Sequence, residues 1–167
     1  GGEGGTWCAQ VPACSAVAVY ADYQPTLNRA CELAHILGEA SLRDRLIAYP
    51  AIAQNPSLLS CEIAGRFFMD AFLAQLLEET EWERREHAAV LWQALRQIGV
   101  NLLHLPFRFE LSHRLHEERR HGYLSVNDIN KLTNTIWEDY FADTVRGSDQ
   151  YVWAAKLHFY LPREPHY

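Results

Sequence analysis

Apolar residues recur along most of this chain at intervals of three and four, the spacing that places side chains on one face of an α-helix. After Pro25 the pattern predicts a first helix that ends at Gly38, because glycine commonly follows the last helical turn. A second helix, "LRDRLIAY", is predicted to begin after Ser41 and to end at Pro50. These signals favour an all-α fold.

The middle of the chain carries the two longest helical patterns. Ser57 is expected to begin a long helix through "LLSCEIAGRFFMDAFLAQLLEE". Its broad apolar face is predicted to consist of Leu58, Ile63, Phe67, Phe68, Phe72, Leu76 and Leu77. The next helix, "HAAVLWQALRQIGVNLLHL", should end at Pro106, since proline removes a backbone donor and disfavours helix in the residue before it. We expect its segment from Trp92 to Leu103 to be the central core helix, with Leu95 buried.

The last third of the chain is predicted to hold three more helices. "SHRLHEERRHG" indicates a charged helix ended by Gly122, and Ser125 with Asp128 resembles a capping box that begins the next helix. "DQYVWAAKLHFYL" indicates the last one, while "SAVAVY" is the only alternating, strand-like segment and is short. The sequence therefore predicts an all-α bundle of six or seven helices. Residues 21–167 would form one domain, preceded by a linker or extended segment over residues 1–20.

Composition narrows the classes of function. The 167 residues carry a formal net charge of −6, whereas a general nucleic-acid binder needs a basic face to neutralise phosphates. No apolar run approaches the roughly 18 residues of a membrane-spanning helix. Cys31 and Cys61 lie within apolar helical patterns, which favours free thiols in a reduced, cytoplasmic protein. A disulfide between Cys8 and Cys14 is the alternative, and it would indicate an oxidising compartment.

Candidate catalytic chemistry is sparse. His113, His116 and His121 suggest a metal site, but "HEERRH" spaces its histidines five apart rather than the four of a zinc-protease helix. The sequence contains no Gly-x-Ser-x-Gly motif, phosphate-binding glycine loop or dinucleotide fingerprint. Both mid-helix cysteines lie on apolar faces, a poor place for a nucleophile. We therefore expect no enzyme activity, no cofactor and no metal.

Aromatic and basic side chains are concentrated after Pro106. Arginine binds carboxylates through two parallel hydrogen bonds and aromatic rings offer rigid contact area, a combination frequent at peptide-binding surfaces. We expect one of the two phenylalanines that flank Arg108 to enter the core, while Arg108 faces outward beside Asn101. The predicted partner-binding residues are Asn101, Phe107, Arg108, Arg114 and Tyr123. The alternative is that Asn101 only satisfies backbone groups and Arg108 is solvated.

Several short segments resemble the PUB-type domain of the spermatogenesis-associated protein 2 family, whose insect relative is called tamozhennic. The first is "ALRQIGVNLLHLPFRFEL", with Val100, Asn101, Leu102, Leu105, Pro106, Phe107 and Arg108 at the matching positions. Upstream, "RDRLIAYPAI" is similar to the family's Arg-x-Arg-Leu-Ile stretch, and downstream "SVNDINKL" is similar to an acidic-Asp-Ile helix start. The resemblance spans roughly residues 40–140. The Lys/Thr-Tyr-Thr-Gly segment of the family's peptide pocket has no counterpart here.

The resemblance implies a helical protein-interaction module rather than an enzyme. PUB-type domains bind short acidic-hydrophobic peptides or partner domains, and in this family the module recruits the cylindromatosis deubiquitinase. An adaptor of ubiquitin signalling is therefore the first expectation. Two alternatives remain open: a small helical effector or secretion-system adaptor, and a metal-dependent helical enzyme that uses His113, His116 and His121.

Overall fold

Helices make up most of the protein, together with one small β-sheet. A computed structural model describes residues 5–11, 14–22, 24–79, 81–145 and 147–155. The chain divides into two compact units, Gly1–Ala94 and Leu95–Tyr167. The sequence placed its only domain boundary near residue 20, whereas the contacts divide the chain after Ala94. Whether both units belong to one domain over residues 21–167 stays a prediction.

The described residues form four continuous long helices rather than six or seven. Five α-helical segments are labelled below, because one of the four helices is interrupted by a π-helical segment. Two strands come first, β1 (Trp7–Val11) and β2 (Ala16–Tyr20). The helices are α1 (Leu27–Leu46), α2 (Leu58–Glu78), α3 (Arg84–Gly99), α4 (Leu105–Arg120) and α5 (Val126–Phe141). A π-helical segment, Val100–His104, joins α3 to α4 in one continuous helix. Short 3-10 turns follow α1 and α5, at Ala51–Gln54 and Ala142–Thr144.

The segment expected to be a linker contains an antiparallel β-hairpin. β1 pairs with β2 in a register that places Trp7 opposite Tyr20, and these two rings stack with centroids 5.6 Å apart. Both strands contact α1, so the hairpin belongs to the first unit. "SAVAVY" correctly indicated β2, but β1 contains Gln10 and too little alternation to be recognised before its partner strand is known. The all-α prediction is therefore corrected to a mostly helical fold with a two-stranded sheet.

Gly38 lies inside α1 and does not end it, contrary to the prediction. The helix begins after Thr26, whose side chain accepts a hydrogen bond from the Arg29 amide, and it continues to Leu46. A Cβ atom at Gly38 would lie 2.5 Å from the Ala64 carbonyl oxygen of α2. The glycine is therefore required by the close approach of two helices, a reason that local sequence does not reveal.

Helix α2 begins after Ser57 as predicted, with the Ser57 side chain accepting a hydrogen bond from the Ser60 amide. The buried face was assigned correctly only in part, since Phe72, Leu76 and Leu77 of that prediction are half-buried and pack against the core. Cys61, Met69 and Leu73 are the buried apolar residues, whereas Ile63 and Phe67 of the predicted face are exposed. The core of this unit is small and consists of Cys31, Met69, Leu73 and Val90.

The predicted central core helix, Trp92 to Leu103, is also wrong. Leu95 is 60% exposed and Trp92 is exposed, while the buried positions of α3 are Val90 and Gln93. Spacing at three and four identifies an apolar face, but it does not say whether another element covers that face. A Leu95→Ala change is accordingly expected to cost much less than the roughly 2–5 kcal/mol of a buried leucine.

Pro106 does not end the helix, because a π-turn precedes it. The Leu105 amide donates to the Val100 carbonyl five residues earlier, so the turn holds one more residue than an α-turn. Pro106 is the second residue of α4 and so follows directly after the widened turn. The widened turn lets the chain pass through proline without a break.

The core of the second unit lies between α4 and α5. Its buried members are Phe107, Leu111, Ile136, Phe141 and Val152. The predicted capping box at the start of α5 is confirmed, with Ser125 and Asp128 exchanging hydrogen bonds. Where a last helix was predicted, residues 150–155 form turns, and the Trp153 indole N–H donates to Asn130 Oδ1 at 2.9 Å. The rest of that predicted helix lies outside the described residues. No helix in the described ranges combines the length and the apolar composition needed to cross a bilayer.

Candidate interaction surface

Phe107 and Phe109 lie on opposite sides of α4, because two residues turn an α-helix by about 200°. Phe107 has no exposed surface and contacts the rings of Trp137 and Phe141, at centroid distances of 5.4 and 5.7 Å. Phe109 is 57% exposed. The prediction that one of the two aromatics enters the core is therefore confirmed. Phe107 was predicted to bind a partner, but its side chain is buried in the core and cannot contact one.

Asn101 and Arg108 are both half-buried. Asn101 lies in the π-turn, and Arg108 follows one residue after the core residue Phe107. The Arg108 Nε atom is shielded from solvent, so this side chain does not point freely outward as expected. Charge reversal at Arg108 would consequently disturb packing as well as any partner contact, which makes it a poor test of binding.

Arg114 and Tyr123 are exposed and lie farther along the chain. Arg114 Nε donates to Glu110 Oε1 at 2.8 Å, and this hydrogen bond raises the pKa of the guanidinium above its ordinary value. Tyr123 follows Gly122 in the turn after α4. From Asn101 to the end of α4 the helix axis extends roughly 28 Å. The structure thus spreads the predicted residues along a helix and does not gather them into one pocket.

An exposed row of apolar residues lies on the same helix and was missed as a surface. Ile98, Leu102 and Phe109 are 52%, 68% and 57% exposed. All three belong to the continuous helix formed by α3, the π-helical segment and α4. We call these three residues the apolar stripe. Its signal in the sequence was the same periodicity that was taken for a core face.

His113 extends the apolar stripe toward the charged end of α4. Its ring stacks on Phe109 with centroids 6.2 Å apart and planes 5° from parallel. His113 Nε2 lies 3.7 Å from Glu117 Oε1, and both side chains are about half exposed. Along the helix, the two aliphatic residues of the apolar stripe are therefore followed by Phe109 and then, outside the stripe, by His113.

The three histidines proposed as a metal cluster do not converge. His116 Nδ1 lies 2.7 Å from the Ser112 carbonyl oxygen, His113 faces Glu117, and His121 caps the end of α4. Within the described parts of the chain, the one group of metal-ligating side chains close enough to share an ion is His35, Glu39 and Glu62. The first unit, rather than α4, holds the candidate metal centre.

An open groove between α1 and α2 is a second feature that the sequence did not indicate. Its volume is about 470 Å³, and its apolar wall includes Ile63, Phe67 and Phe68, with Arg45 at its edge. Phe67 and Phe68 were predicted to lie on the buried face of α2, but both are exposed and line this groove.

Comparisons of this chain with protein-family models, with curated proteins and with solved structures give no match.

Proposed function

We propose that the chain is a non-catalytic protein-interaction domain that binds an acidic-hydrophobic peptide through the apolar stripe. The observation that carries this proposal is the exposure of three large apolar side chains, Ile98, Leu102 and Phe109, within one continuous helix. Large apolar side chains arranged contiguously on a surface typically mark a site of protein contact. A partner helix or extended segment would cover them and remove their apolar area from water.

The distribution of charge makes the second unit less repulsive to an acidic partner than the first unit. Residues 1–94 contain twelve acidic and six basic residues, whereas residues 95–167 contain nine of each. The whole net charge of −6 therefore resides in the first unit. About 15 Å farther along the same helix, α4 ends with Arg119 and Arg120, which would attract a peptide carboxylate and orient its approach.

Within this class, we place the chain in ubiquitin signalling as an adaptor that recruits a deubiquitinase of the cylindromatosis type in the cytoplasm. The support for this finer assignment is the resemblance of residues 94–111, and of the segments "RDRLIAYPAI" and "SVNDINKL", to the PUB-type domain. Asn101 and Arg108, beside the stripe, would then contact the partner's backbone and carboxylates.

A matched pair of leucine variants tests the stripe. Leu102→Ser removes an exposed leucine from the stripe, and Leu59→Ser removes one from α2, with exposures of 68% and 66%. Because both side chains are solvated, neither change should lower the thermal unfolding temperature appreciably. Capture of the purified cylindromatosis deubiquitinase, measured by surface plasmon resonance, should fall at least tenfold for Leu102→Ser and stay unchanged for Leu59→Ser.

The same surface is then tested with a fluorescent peptide of alternating aspartate and leucine residues. Peptide binding without capture of the deubiquitinase would retain the interaction surface and reject the ubiquitin-signalling assignment. Equal binding by Leu102→Ser and the unaltered chain would reject the apolar stripe as the site. If light scattering instead shows that Leu102→Ser dissociates a dimer, the stripe is an interface between two copies of this chain.

A further inference from the structure

Three metal-ligating side chains converge between α1 and α2. His35 and Glu39 are four residues apart on α1, and Glu62 comes from α2. His35 Nε2 lies 3.3 Å from Glu39 Oε1 and 3.6 Å from Glu62 Oε2. The three candidate ligand atoms all lie within 4.8 Å of one another. One ring nitrogen and two carboxylates are thus brought to the same point by two different helices.

The two distances from His35 Nε2, 3.3 and 3.6 Å, match the edges of a tetrahedral metal site. Zinc bonds to imidazole nitrogen and carboxylate oxygen of 2.0–2.2 Å imply ligand atoms about 3.4 Å apart. We propose that His35, Glu39 and Glu62 bind a first-row divalent cation, with Zn²⁺ as the preferred ion. The side chains are 19%, 16% and 35% exposed, so the ion would be partly shielded and would keep one open position for water.

The position of the His35 ring depends on Gly65. A Cβ atom at Gly65 would lie 2.6 Å from both Cε1 and Nε2 of His35, so the ring rests directly against the backbone of α2. Any larger residue at this position would displace the nitrogen that faces Glu39 and Glu62. The ring is therefore held in place by packing before any ion binds, which reduces the entropy lost on binding.

The donor set favours Zn²⁺ over other common ions. Mg²⁺ and Ca²⁺ prefer oxygen ligands alone, and Cu(I) prefers thiolates. Bound between α1 and α2, the ion would link the two longest helices of the first unit and stabilise their pairing.

The experiment is calorimetric titration of the chelator-treated full chain with ZnCl₂ at neutral pH. We expect one Zn²⁺ per chain and a rise in unfolding temperature on loading. Glu39→Gln and Glu62→Gln preserve side-chain size and should each weaken Zn²⁺ binding at least tenfold. The matched control is His113→Gln, which removes a histidine from an exposed pair that has the same spacing of four residues on α4. This variant should bind Zn²⁺ as the unaltered chain does.

Circular dichroism without zinc establishes that each variant is folded, so a loss of binding cannot be attributed to unfolding. Absence of stoichiometric Zn²⁺ binding by the unaltered chain would overturn the proposal and leave the cluster as a contact between the His35 ring and its two neighbouring carboxylates. Zn²⁺ binding that survives both glutamine substitutions, or that is lost in His113→Gln alone, would place the ion elsewhere and would equally overturn it.

Discussion

Replacing Gly38 with alanine tests the close approach of α1 and α2. The added Cβ would lie 2.5 Å from the Ala64 carbonyl oxygen, and 2.9 Å from both Gly65 Cα and Phe68 Cβ. Two of these three atoms are backbone, so they cannot rotate away as a side-chain end could. Overpacking of this kind costs about 1–3 kcal/mol, and alanine recovers about 0.5–1 kcal/mol of helix propensity. We expect a net loss of about 1–2 kcal/mol in the free energy of unfolding.

The matched control is Gly99→Ala in α3, where the described residues place no atom within 4 Å of the added Cβ apart from its chain neighbours and its own helix backbone. Gly99 has helical backbone angles, so alanine should stabilise the protein by about 0.5–1 kcal/mol. Urea unfolding followed by far-ultraviolet circular dichroism should therefore move the midpoint in opposite directions for the two variants. If Gly38→Ala is as stable as the unaltered chain, α1 and α2 do not pack as closely as described.

Three further measurements test the core, a helix cap and the thiols. Phe107→Ala should lower the free energy of unfolding by about 3–5 kcal/mol in urea, because the ring is fully buried among aromatic neighbours; a loss below 1 kcal/mol would contradict its place in the core. Hydrogen bonds from Ser125 hold the pKa of Asp128 below its usual value of 3.8. The Asp128 carboxylate should therefore stabilise the fold fully above pH 3.8, and this stabilisation should be lost as the pH falls through the lower pKa of the folded state. The difference in thermal unfolding temperature between the unaltered chain and Asp128→Asn should therefore shrink in acid, and a constant difference from pH 2 to 7 would refute this. Mass spectrometry of the non-reduced chain should find four free thiols, with exposed Cys14 reacting with a thiol reagent much faster than buried Cys61; equal rates would contradict the burial.

Local chemistry correctly predicted the starts of α2 and α5, whereas the helix start predicted at Ser41 is wrong because Ser41 lies inside α1. Ser57 and Ser125 begin α2 and α5 because their side chains bind amides within the next turn, an interaction that needs only neighbouring residues. Gly122 follows α4, where its backbone angle φ of 149° is one that side-chain-bearing residues rarely adopt. The mostly helical class and the strand at Ala16–Tyr20 were predictable for the same reason: both arise from local propensity and spacing.

The tertiary structure alone decided which apolar faces are covered. Periodicity identified the face of α3 that contains Leu95, yet this face is exposed and Val90 lies in the core instead. Gly38 and Pro106 both carry the local signal of a helix end. Gly38 is required because a Cβ atom there would lie 2.5 Å from the Ala64 carbonyl oxygen of the neighbouring helix. Pro106 is accommodated by the π-turn before it. The first case depends on a residue of another helix, and the second depends on the hydrogen-bond pattern of the turn that precedes the proline.

The same division holds for the candidate sites. The sequence identified the segment after Pro106 as aromatic and basic, but only the fold buries Phe107 and exposes Phe109. His35 and Glu39 share a helix at a spacing of four, whereas Glu62 lies more than twenty residues later. The sequence determines which side chains are available for chemistry. The pairing of α1 with α2 determines which of them meet, because convergence of ligands is a property of packed helices and not of any one of them.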